Sequence, residues 1–487
     1  MHKIQEIYDA MKHTPSASEK ALIEKAYTFA EHAHRDQKRA SGEPYFFHLV
    51  ETAKNLAEFG MDTTTIAAGL LHDSIEDTPV TEQELWKEFG TEIVYLVNGV
   101  TKLGHLKYTG EQRHVESLRK FFIASAEDVR VIIIKLADRL HNVRTLQHVK
   151  PEKAKRIALE TLEIHASLAY RLGMRKLTGE LEDAAFPYAY PKEYAMVEKL
   201  LKQRKESDKK YMDKVYRSVK KEMAKYGIKD INTDYRTKRM YSLWRKLQRK
   251  DMDIEKIYDI VALRAIVPHI EDCYRLLGVI HNMWRPLPGR IKDYIALPKP
   301  NGYQSIHTTI FTGDGGIAEI QIRTPEMHAQ AEYGIASHMI YKEKQKSPQA
   351  MNFLKHIGWL EELSEAQRDE KNNEIFLKNL KTDFFEDRIF ILTPKGDVID
   401  LPKDSTVIDF AFRVHSEIGL HAKGARVNGK FSSLKTVLNN GDIVIVETQK
   451  DSFPTSKWLD WCKTTMAQKH IKNYLKETGS GFSKWWS

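Results

Sequence analysis

The spacing of apolar residues separates a helical first part of the chain from a mixed remainder. Up to about residue 190, apolar residues recur every three or four positions, as on a helix with one buried face. This period predicts helices at residues 19–35, 47–59, 64–76, 82–89, 111–126 and 153–172. Pro187 and Pro191 interrupt the pattern, because proline lacks the amide hydrogen that a helix interior needs.

The remainder mixes helices with short strands. A long charged helix is predicted at residues 192–226, and Gly227 follows it as a C-cap glycine would. Strands are expected at residues 260–267, 294–296, 307–311 and 318–322. A polar helical linker at about residues 347–381 leads to a β-rich piece at residues 387–448. In that piece, residues 394–397 and 428–429 predict hairpin turns, and a helix at residues 406–415 has Asp404 or Ser405 as its cap.

The composition indicates a packed, soluble protein. A chain of 487 residues is long enough for about three domains, and its apolar fraction of 41% supports packed cores. The two cysteines, Cys273 and Cys462, lie far apart, which argues against a disulfide framework and favours the reducing cytoplasm. No apolar run approaches the ~18 residues of a membrane span, so no membrane partner is expected. The net charge of +9 favours polyanionic substrates or partners.

A histidine and three acidic residues lie within the six positions 72–77. On a continuous helix, Glu76 would lie over His72 and Asp77 over Asp73, since residues four apart share a face. That places an imidazole and three carboxylates on one side of the helix. A divalent cation would relieve the repulsion between the carboxylates.

Further ligand types lie before and after this cluster. Asp138 shares a helix face with Asn142, and His48 offers another imidazole. A lone His-Asp pair is more often a surface hydrogen bond, but the added histidine and the distant aspartate favour a metal site. Two histidines and two aspartates suit Mn²⁺, with Zn²⁺ or Fe²⁺ as alternatives. Metal-assisted hydrolysis of a phosphate ester is the leading interpretation.

A second set of chemical groups lies at residues 235–323. Arg290 and Lys292 suit phosphates, and Tyr303 offers a flat face on which a base can stack. The cations at residues 235–246 are interpreted either as a solvated basic helix or as a phosphate-binding one. Asp259 is expected to begin a strand and Glu319 to lie in another, and two such acids suit Mg²⁺ bound to nucleotide phosphates.

These motifs together resemble the long Rel/SpoT family of bifunctional (p)ppGpp synthetase–hydrolases over residues 21–448. The resemblance implies a multidomain α and α+β protein. Its expected parts are an all-α HD-type hydrolase domain (residues 1–190), an α+β nucleotidyltransferase-like synthetase domain (191–345, with the connecting helix 192–226), a helical linker (346–386), a small β-grasp TGS domain (387–448) and the start of a helical region (449–487).

For the hydrolase, the resemblance implies removal of the 3′-pyrophosphate of (p)ppGpp with Mn²⁺. The implied metal ligands are His48, His72, Asp73 and Asp138. Glu76 and Asp77 are implied to orient and activate the attacking water. The residues implied to hold the guanosine and its phosphates are Arg39, Ser41, Asn142, Thr145 and Lys155. Ala40 stands where the family usually has lysine, which predicts weaker substrate binding.

For the synthetase, the resemblance implies transfer of the β,γ-pyrophosphate of ATP to the 3′-oxygen of GDP or GTP. ATP would be held by Arg236, Lys238, Lys246 and Lys292, and Mg²⁺ by Asp259. Glu319 would assist the metal and take the proton of the 3′-hydroxyl. The acceptor pocket would comprise Asn301, Tyr303 and His307, with Tyr303 stacked on guanine. Tyr235 and Arg239 replace the family's usual glycine and histidine, which predicts altered packing of ATP.

The last part of the chain departs further from the family. The TGS domain of long Rel proteins meets uncharged tRNA on the ribosome, but Leu420 stands where its histidine is expected. Because the chain stops at Ser487, we expect a short form without the zinc-finger-like and ACT domains.

Three functional hypotheses follow. The first is a bifunctional (p)ppGpp synthetase–hydrolase of the stringent response; residues 290–293 resemble the basic form of this loop found in bifunctional relatives. The second is an enzyme active mainly in one direction, with the other domain regulatory. The third is a ribosome- or tRNA-binding regulator with degenerate catalytic sites. We also expect the two sites to be coupled through residues 187–227, because simultaneous activity would be a futile cycle that consumes ATP.

Overall fold

The structure is a computed structural model that describes residues 2–101, 124–226, 232–257, 260–299, 301–312, 316–337, 382 and 388–478. Contacts separate the chain into two compact units, Met1–Arg368 and Asp369–Ser487. Among the described residues, no helix combines the length and apolar character needed to cross a membrane.

The first part of the first unit is helical, as the apolar period predicts. Its α-helices are α1 (His2–Ala10), α2 (Ala17–Ala33), α3 (Phe46–Glu58), α4 (Thr63–Leu71), α5 (Ser74–Asp77), α6 (Glu82–Thr101), α7 (Arg130–Arg144), α8 (Pro151–Glu160), α9 (Ala166–Arg171), α10 (Arg175–Ala189) and α11 (Pro191–Lys225). A 3₁₀ turn at Leu146–His148 and a π-helical segment at Thr161–His165 lie between them. Helices α3, α4 and α7 pack against one another, and their buried faces form the core beneath the first candidate site.

Three helical predictions are corrected. The helix expected at residues 64–76 is broken at His72 and Asp73, because α4 ends at Leu71 and α5 begins at Ser74. The helix expected at residues 153–172 consists of α8, the π-helical segment and α9. Pro187 does not end the helical pattern, since α10 continues to Ala189. The helix expected at residues 82–89 is confirmed, since the non-helical Gly90, with a φ of 77°, separates it from a second helical stretch that ends at Thr101. Most of the helix expected at residues 111–126 lies outside the described residues.

The rest of the first unit is built on a five-stranded sheet. Its strands and helices are β1 (Asn232–Thr237), α12 (Met240–Gln248), β2 (Val261–Ile266), α13 (Ile270–Met283), β3 (Lys292–Asp293), β4 (Ile306–Phe311), β5 (Ile317–Arg323) and α14 (Pro325–Tyr333), with a 3₁₀ turn at Ile254–Lys256. The strand order is β1-β2-β5-β4-β3, in which β2 and β5 are parallel and the other neighbours antiparallel. Buried residues of β2, β4 and β5 pack against α11, α12 and α13.

One helix prediction and one strand prediction are wrong in this part. The helical interpretation of residues 235–246 fails at its start, because residues 232–237 pair with β2 as a strand and the helix begins at Met240. The strand expected at residues 294–296 is a turn, in which Oδ1 of Asp293 accepts the amide hydrogens of Ile295 and Ala296. The predicted strands at residues 260–267, 307–311 and 318–322 are confirmed.

The second unit contains the β-rich piece. Its elements are β6 (Arg388–Leu392), β7 (Val398–Pro402), α15 (Val407–Val414), α16 (Ser416–Leu420), β8 (Ala422–Val427), β9 (Lys430–Ser432), β10 (Val444–Thr448), a 3₁₀ segment at Ser456–Asp460 and α17 (Thr465–Glu477). Both predicted hairpins are confirmed, β6–β7 and β8–β9. The cap of α15 is Thr406 with Asp409 in a capping box, rather than Asp404 or Ser405. Apolar residues of α17 share one core with α15 and the strands. The linker expected at residues 347–381 lies outside the described residues.

Candidate active sites

The two predicted histidine ligands meet in the helical part, although they come from different helices. His48 lies in the first turn of α3, and His72 lies at the end of α4, where the chain bends into α5. Both side chains are almost fully buried. Their rings are 5.3 Å apart between centroids.

Two carboxylates complete this cluster, which we call the HD cluster (His48, His72, Asp73 and Asp138). Nε2 of His72 is 3.1 Å from Oδ2 of Asp73 and 4.0 Å from Oδ1 of Asp138. Nε2 of His48 is 3.2 Å from Oδ1 of Asp138 and 3.7 Å from Oδ2 of Asp73. The break between α4 and α5 therefore turns both neighbours, His72 and Asp73, into the same space.

The hydrogen bonding of His72 leaves one nitrogen facing the cluster. Its Nδ1 lies 2.8 Å from the carbonyl oxygen of Gly69, and a carbonyl oxygen only accepts, so Nδ1 carries a hydrogen. Nε2 is buried and makes no hydrogen bond of good geometry within the described part of the chain, although Oδ2 of Asp73 lies 3.1 Å away. Burial opposes a charge on this ring, but the attraction of Asp73 and Asp138 prevails and raises its pKa to about 9. The negative charge of the two aspartates therefore favours a cation next to this imidazole.

The aspartates are also held in their charged form. Burial opposes ionisation of Asp138, but Lys135 and the two histidines lower its pKa well below the usual value. Nζ of Lys135 lies 2.7 Å from Oδ2 of Asp138. The hydroxyl of Tyr45 lies 2.8 Å from Oδ2 of Asp73, and burial with Asp73 raises the pKa of this tyrosine. Tyr45 therefore stays neutral and donates to the carboxylate.

This donor set fits a divalent metal ion. A metal about 2.1 Å from each ligand places adjacent ligand atoms about 3 Å apart. The separations of 3.1 to 4.0 Å within the HD cluster are close to that spacing. Ligand atoms of His48, His72 and Asp138 all lie within 4.8 Å of one another. Neutral imidazoles with carboxylates suit several first-row metals, so the donors alone do not select one.

The residues predicted to surround the metal come from α5, from the loop before α3 and from α7. Glu76 and Asp77 lie on α5, and the Tyr45 hydroxyl also lies 3.2 Å from Oδ2 of Asp77. Arg39 reaches the cluster from the loop before α3, where Nη2 donates to Oδ1 of Asn142. Asn142 in turn donates to Oδ1 of Asp138.

The other three predicted substrate-binding residues are placed less centrally. Thr145 caps the end of α7. Ser41 lies in the loop before α3, where its hydroxyl bonds to Glu43. Lys155 is exposed on α8.

A second cluster lies on β4, β5 and the loop before β4 of the five-stranded sheet. Tyr303, His307 and Glu319, all predicted site residues, are joined in a row. The Tyr303 hydroxyl lies 2.7 Å from Nε2 of His307, and Nδ1 of His307 lies 3.5 Å from Oε1 of Glu319. Nε2 of Gln321 donates to the same Glu319 oxygen at 2.8 Å. Strand pairing fixes this row, because β4 and β5 are antiparallel neighbours.

Cations surround this row, which we call the acceptor row (Tyr303, His307 and Glu319). Burial lowers the pKa of His307 well below its usual value, and Arg175, Lys299, Arg236 and Lys292 lower it further. Burial and the same neighbouring cations lower the pKa of Lys299 to about 7. A pocket in which cations destabilise one another in this way is suited to highly charged anions such as nucleotide phosphates.

The face of Tyr303 that was predicted to stack on guanine is covered. The guanidinium carbon of Arg175, at the start of α10, lies 3.8 Å from the centre of the Tyr303 ring. Nζ of Lys299 lies 5.4 Å from the same ring centre. Tyr303 is only 2% exposed. A base can stack on this ring only after Arg175 or Lys299 moves aside.

The structure describes the positions of the other predicted synthetase residues, except Asp259. Arg236 lies in β1, Lys292 in β3, and Lys246 on α12, while the backbone of Lys238 pairs with Ile260. Oδ1 of Asn301 accepts from the amide of Tyr303, and its Nδ2 donates to the carbonyl of Tyr170 in α9. Asp259 lies outside the described residues, so its proposed magnesium site is not part of this geometry.

Sequence reasoning missed five residues that shape these clusters: Tyr45, Lys135, His141, Arg175 and Lys299. Lys135 and His141 stand within three residues of Asp138 on one helix, so helical spacing could have indicated them. Arg175 is 128 positions from Tyr303 in the chain, and no local pattern signals that contact.

Family models match three separate stretches of the chain. Residues 26–175 match the HD domain, residues 235–346 match the region found in RelA / SpoT proteins, and residues 389–448 match the TGS domain. Each match covers one of the regions described above: the HD cluster, the sheet with the acceptor row, and the β-rich second unit.

Curated relatives match nearly the whole chain. A guanosine-3′,5′-bis(diphosphate) 3′-pyrophosphohydrolase of Aquifex aeolicus is 45% identical over 474 residues, which are 97% of this chain and 67% of that protein. A GTP pyrophosphokinase of Myxococcus xanthus is 44% identical over 460 residues, 94% of this chain and 60% of that protein. A solved structure titled as a metazoan ortholog of SpoT that hydrolyzes ppGpp matches 28% of this chain and 73% of its own, at 30% identity and a TM-score of 0.23.

The chain thus spans 60 to 67% of the length of these two curated relatives. Its identity to them extends across the HD, RelA/SpoT and TGS regions in the order that the sequence analysis expected. The chain belongs to the RelA/SpoT family.

Proposed function

We propose that this chain is a bifunctional enzyme of the alarmone (p)ppGpp. It hydrolyses ppGpp and water to GDP and pyrophosphate, and it converts ATP and GDP, or GTP, to AMP and (p)ppGpp. The observation that carries this proposal is the presence of two clusters on one chain that is similar over 94 to 97% of its length to relatives named for each activity. Acids stand in both described clusters (Asp73, Asp138 and Glu319), which argues against a regulator with degenerate sites.

For hydrolysis, the proposed ligands of a divalent metal are the four side chains of the HD cluster. A metal bound there acts as a Lewis acid and supplies a nucleophile from water near neutral pH. Glu76 and Asp77 orient the attacking water and accept its proton, since α5 carries both acids next to the cluster. Arg39, with Ser41, Asn142, Thr145 and Lys155, binds the guanosine and its phosphates. We propose Mn²⁺ as the resident metal because the resemblance to the family implies it, and the mixed nitrogen and oxygen ligands are compatible with it.

For synthesis, the cations around the acceptor row neutralise the two nucleotides. ATP and GDP together bring roughly seven negative charges, so their phosphates need cations before they can approach each other. Arg236, Lys238, Lys246 and Lys292 bind ATP, with Mg²⁺ held by Asp259. Glu319 takes the proton of the 3′-hydroxyl, and Tyr303 stacks on guanine after Arg175 has moved.

The covered face of Tyr303 supports a second proposal, that this conformation favours hydrolysis over synthesis. Arg175 belongs to the part of the chain proposed as the hydrolase domain, residues 1–190, and Tyr303 to the proposed synthetase domain, residues 191–345. We propose that nucleotide in one site disfavours the active form of the other. Measuring ppGpp affinity at the hydrolase with and without a non-hydrolysable ATP analogue tests this coupling, and equal affinities would contradict it.

The second unit is proposed to bind uncharged tRNA or the ribosome, as its TGS match supports. Nδ1 of His421 lies 3.1 Å from the carbonyl oxygen of Ser452, so this histidine is engaged within the unit. Replacement of the family's histidine by Leu420 predicts weak binding, which an electrophoretic shift with uncharged tRNA would measure. We propose the cytoplasm as the location, because ATP and GTP are available there.

The activity is tested by two incubations of the purified chain. One contains ATP, GDP and Mg²⁺, and the other contains ppGpp and Mn²⁺; anion-exchange chromatography identifies the products. We expect AMP and ppGpp from the first, and GDP and pyrophosphate from the second. Turnover in one incubation alone would favour the one-directional enzyme, and turnover in neither would leave the regulator. In the second incubation, Asp73→Ala should abolish hydrolysis.

A further inference from the structure

His141 contacts both a proposed substrate-binding residue, Arg39, and a proposed metal ligand of the HD cluster, His48. Its Nδ1 is 2.7 Å from Nη1 of Arg39 and 2.8 Å from Nδ1 of His48. The rings of His141 and His48 are 5.0 Å apart between centroids. One nitrogen of His141 therefore contacts both neighbours.

The chemistry of Arg39 fixes which atoms carry hydrogens. A guanidinium group donates hydrogen bonds and never accepts them, so Nδ1 of His141 accepts and carries no hydrogen. A bare nitrogen cannot donate to His48 either. The contact between the two imidazoles is a hydrogen bond only if Nδ1 of His48 donates, so the hydrogen of neutral His48 is on Nδ1.

This tautomer leaves Nε2 of His48 bare and directed at acceptors. That nitrogen lies 3.2 Å from Oδ1 of Asp138 and 3.7 Å from Oδ2 of Asp73. Two carboxylate oxygens and a bare nitrogen repel one another unless a cation lies between them. In the other tautomer, Nε2 would donate to Asp138 and would no longer offer a lone pair to a metal.

We propose that His141 is a positioning residue that holds His48 in the tautomer able to bind the metal. The inference rests on the proposed function, since it takes the HD cluster as a metal site. Nδ1 of His72 donates to the carbonyl of Gly69, so when a metal replaces the second proton of this ring, Nε2 is again the nitrogen that binds it.

Arg39 takes part in a second contact of the same kind. It donates to Oδ1 of Asn142, and Asn142 donates to Oδ1 of Asp138. Arg39 is thus joined through two residues of α7 to two of the proposed ligands, His48 and Asp138. Only the contact between His141 and His48 fixes a tautomer, because the carboxylate of Asp138 has no tautomers to select.

A matched pair of variants separates this role from simple space-filling. His141→Asn keeps an acceptor oxygen near the place of Nδ1, and His141→Leu has a similar size but no acceptor. The dissociation constant for Mn²⁺ is measured on the full 487-residue chain by electron paramagnetic resonance of the free ion, without any substrate. Thermal unfolding of the metal-free proteins checks that each variant is folded.

We expect His141→Leu to weaken Mn²⁺ binding by about 10- to 100-fold, the usual effect of losing such a partner, and His141→Asn to stay within about threefold of the wild type. Equal affinities of the folded Leu and Asn variants would overturn the role of His141, even if both differ from the wild type. If the wild type itself binds no Mn²⁺, the metal site of the proposed function fails instead.

Discussion

Replacing Arg175 by alanine should strengthen binding of the acceptor nucleotide. In the structure its guanidinium carbon lies 3.8 Å from the centre of the Tyr303 ring, on the face where guanine is proposed to stack. GDP must displace this contact before it can bind. Removing the arginine therefore lowers the free energy that acceptor binding requires.

The size of the effect follows from the burial of Tyr303. Cation–π contacts are worth about 0.5–1 kcal/mol at exposed sites and about 2 kcal/mol or more when water is excluded. Tyr303 is 2% exposed, so the upper value applies. Because about 1.4 kcal/mol is a factor of ten, full release would change the GDP dissociation constant about 30-fold. Loss of one cation from an anion-binding pocket opposes this gain, and we expect a net decrease of about 5- to 30-fold.

The assay is the KM for GDP in ppGpp synthesis at saturating ATP, together with the GDP dissociation constant by calorimetry. Lys176→Ala is the matched control, because Lys176 is the next residue on α10 and carries the same charge. Its Nζ lies 5.8 Å from the ring centre of Tyr333 and 3.4 Å from Glu58, away from Tyr303. If Arg175→Ala leaves GDP binding unchanged or weakens it, Arg175 does not compete with the acceptor and the reasoning is refuted.

Three further predictions concern stability, and each is measured by urea unfolding. Burial lowers the pKa of His165 to about 3, whereas the pKa of a histidine in the unfolded chain is about 6.5. As the pH falls below 6.5, the unfolded state binds a proton that the folded state excludes, so the free energy of unfolding decreases, by about 2 kcal/mol at pH 5. His165→Leu should reduce this decrease between pH 7.5 and 5, and an unchanged decrease would contradict the prediction. Asp409 is fully buried and accepts hydrogen bonds from the backbone amides of Lys463 and Thr464, just before α17. Asp409→Asn should therefore destabilise the second unit by about 3 kcal/mol and increase hydrogen exchange in α17. If exchange in α17 is unchanged, these hydrogen bonds do not hold α17 in place. Gly334 has a φ of 55°, and a Cβ there would lie 2.2 Å from the carbonyl oxygen of Leu172. Gly334→Ala should therefore lower the urea concentration at which half of the protein is unfolded. Gly278 is the control, because a Cβ there meets no atom within 4 Å and alanine should be tolerated.

Much of the helical part could be predicted because its apolar period is local. Helices α2, α3 and α11 begin and end within a few residues of the predicted bounds. The break at His72 and Asp73 could not be predicted in this way, because neither position is proline or glycine and Ile75 continues the apolar spacing. The four predicted members of the HD cluster nevertheless come together, because their identities limit them to a shared polar site in an apolar core.

The synthetase part was harder to predict because its polar residues alternate on a half-buried surface. Residues 232–237 form a strand whose side chains are mostly polar, and a pairing partner rather than an apolar period defines it. The covering of Tyr303 by Arg175 is a tertiary contact between the two parts of the first unit. The backbones of Gly173 and Gly334 also approach each other closely, and sequence spacing reveals neither contact.

The central claim is that one chain carries two separate active sites, and two isosteric variants test it most directly. Asp138→Asn removes a proposed metal ligand, and Glu319→Gln removes the proposed base; both activities are measured on each purified variant. We predict that Asp138→Asn abolishes ppGpp hydrolysis but still makes ppGpp from ATP and GDP, and that Glu319→Gln loses synthesis by about 100-fold or more while hydrolysis continues. If either substitution removes both activities from a folded protein, or if hydrolysis survives Asp138→Asn, the two-site account is wrong.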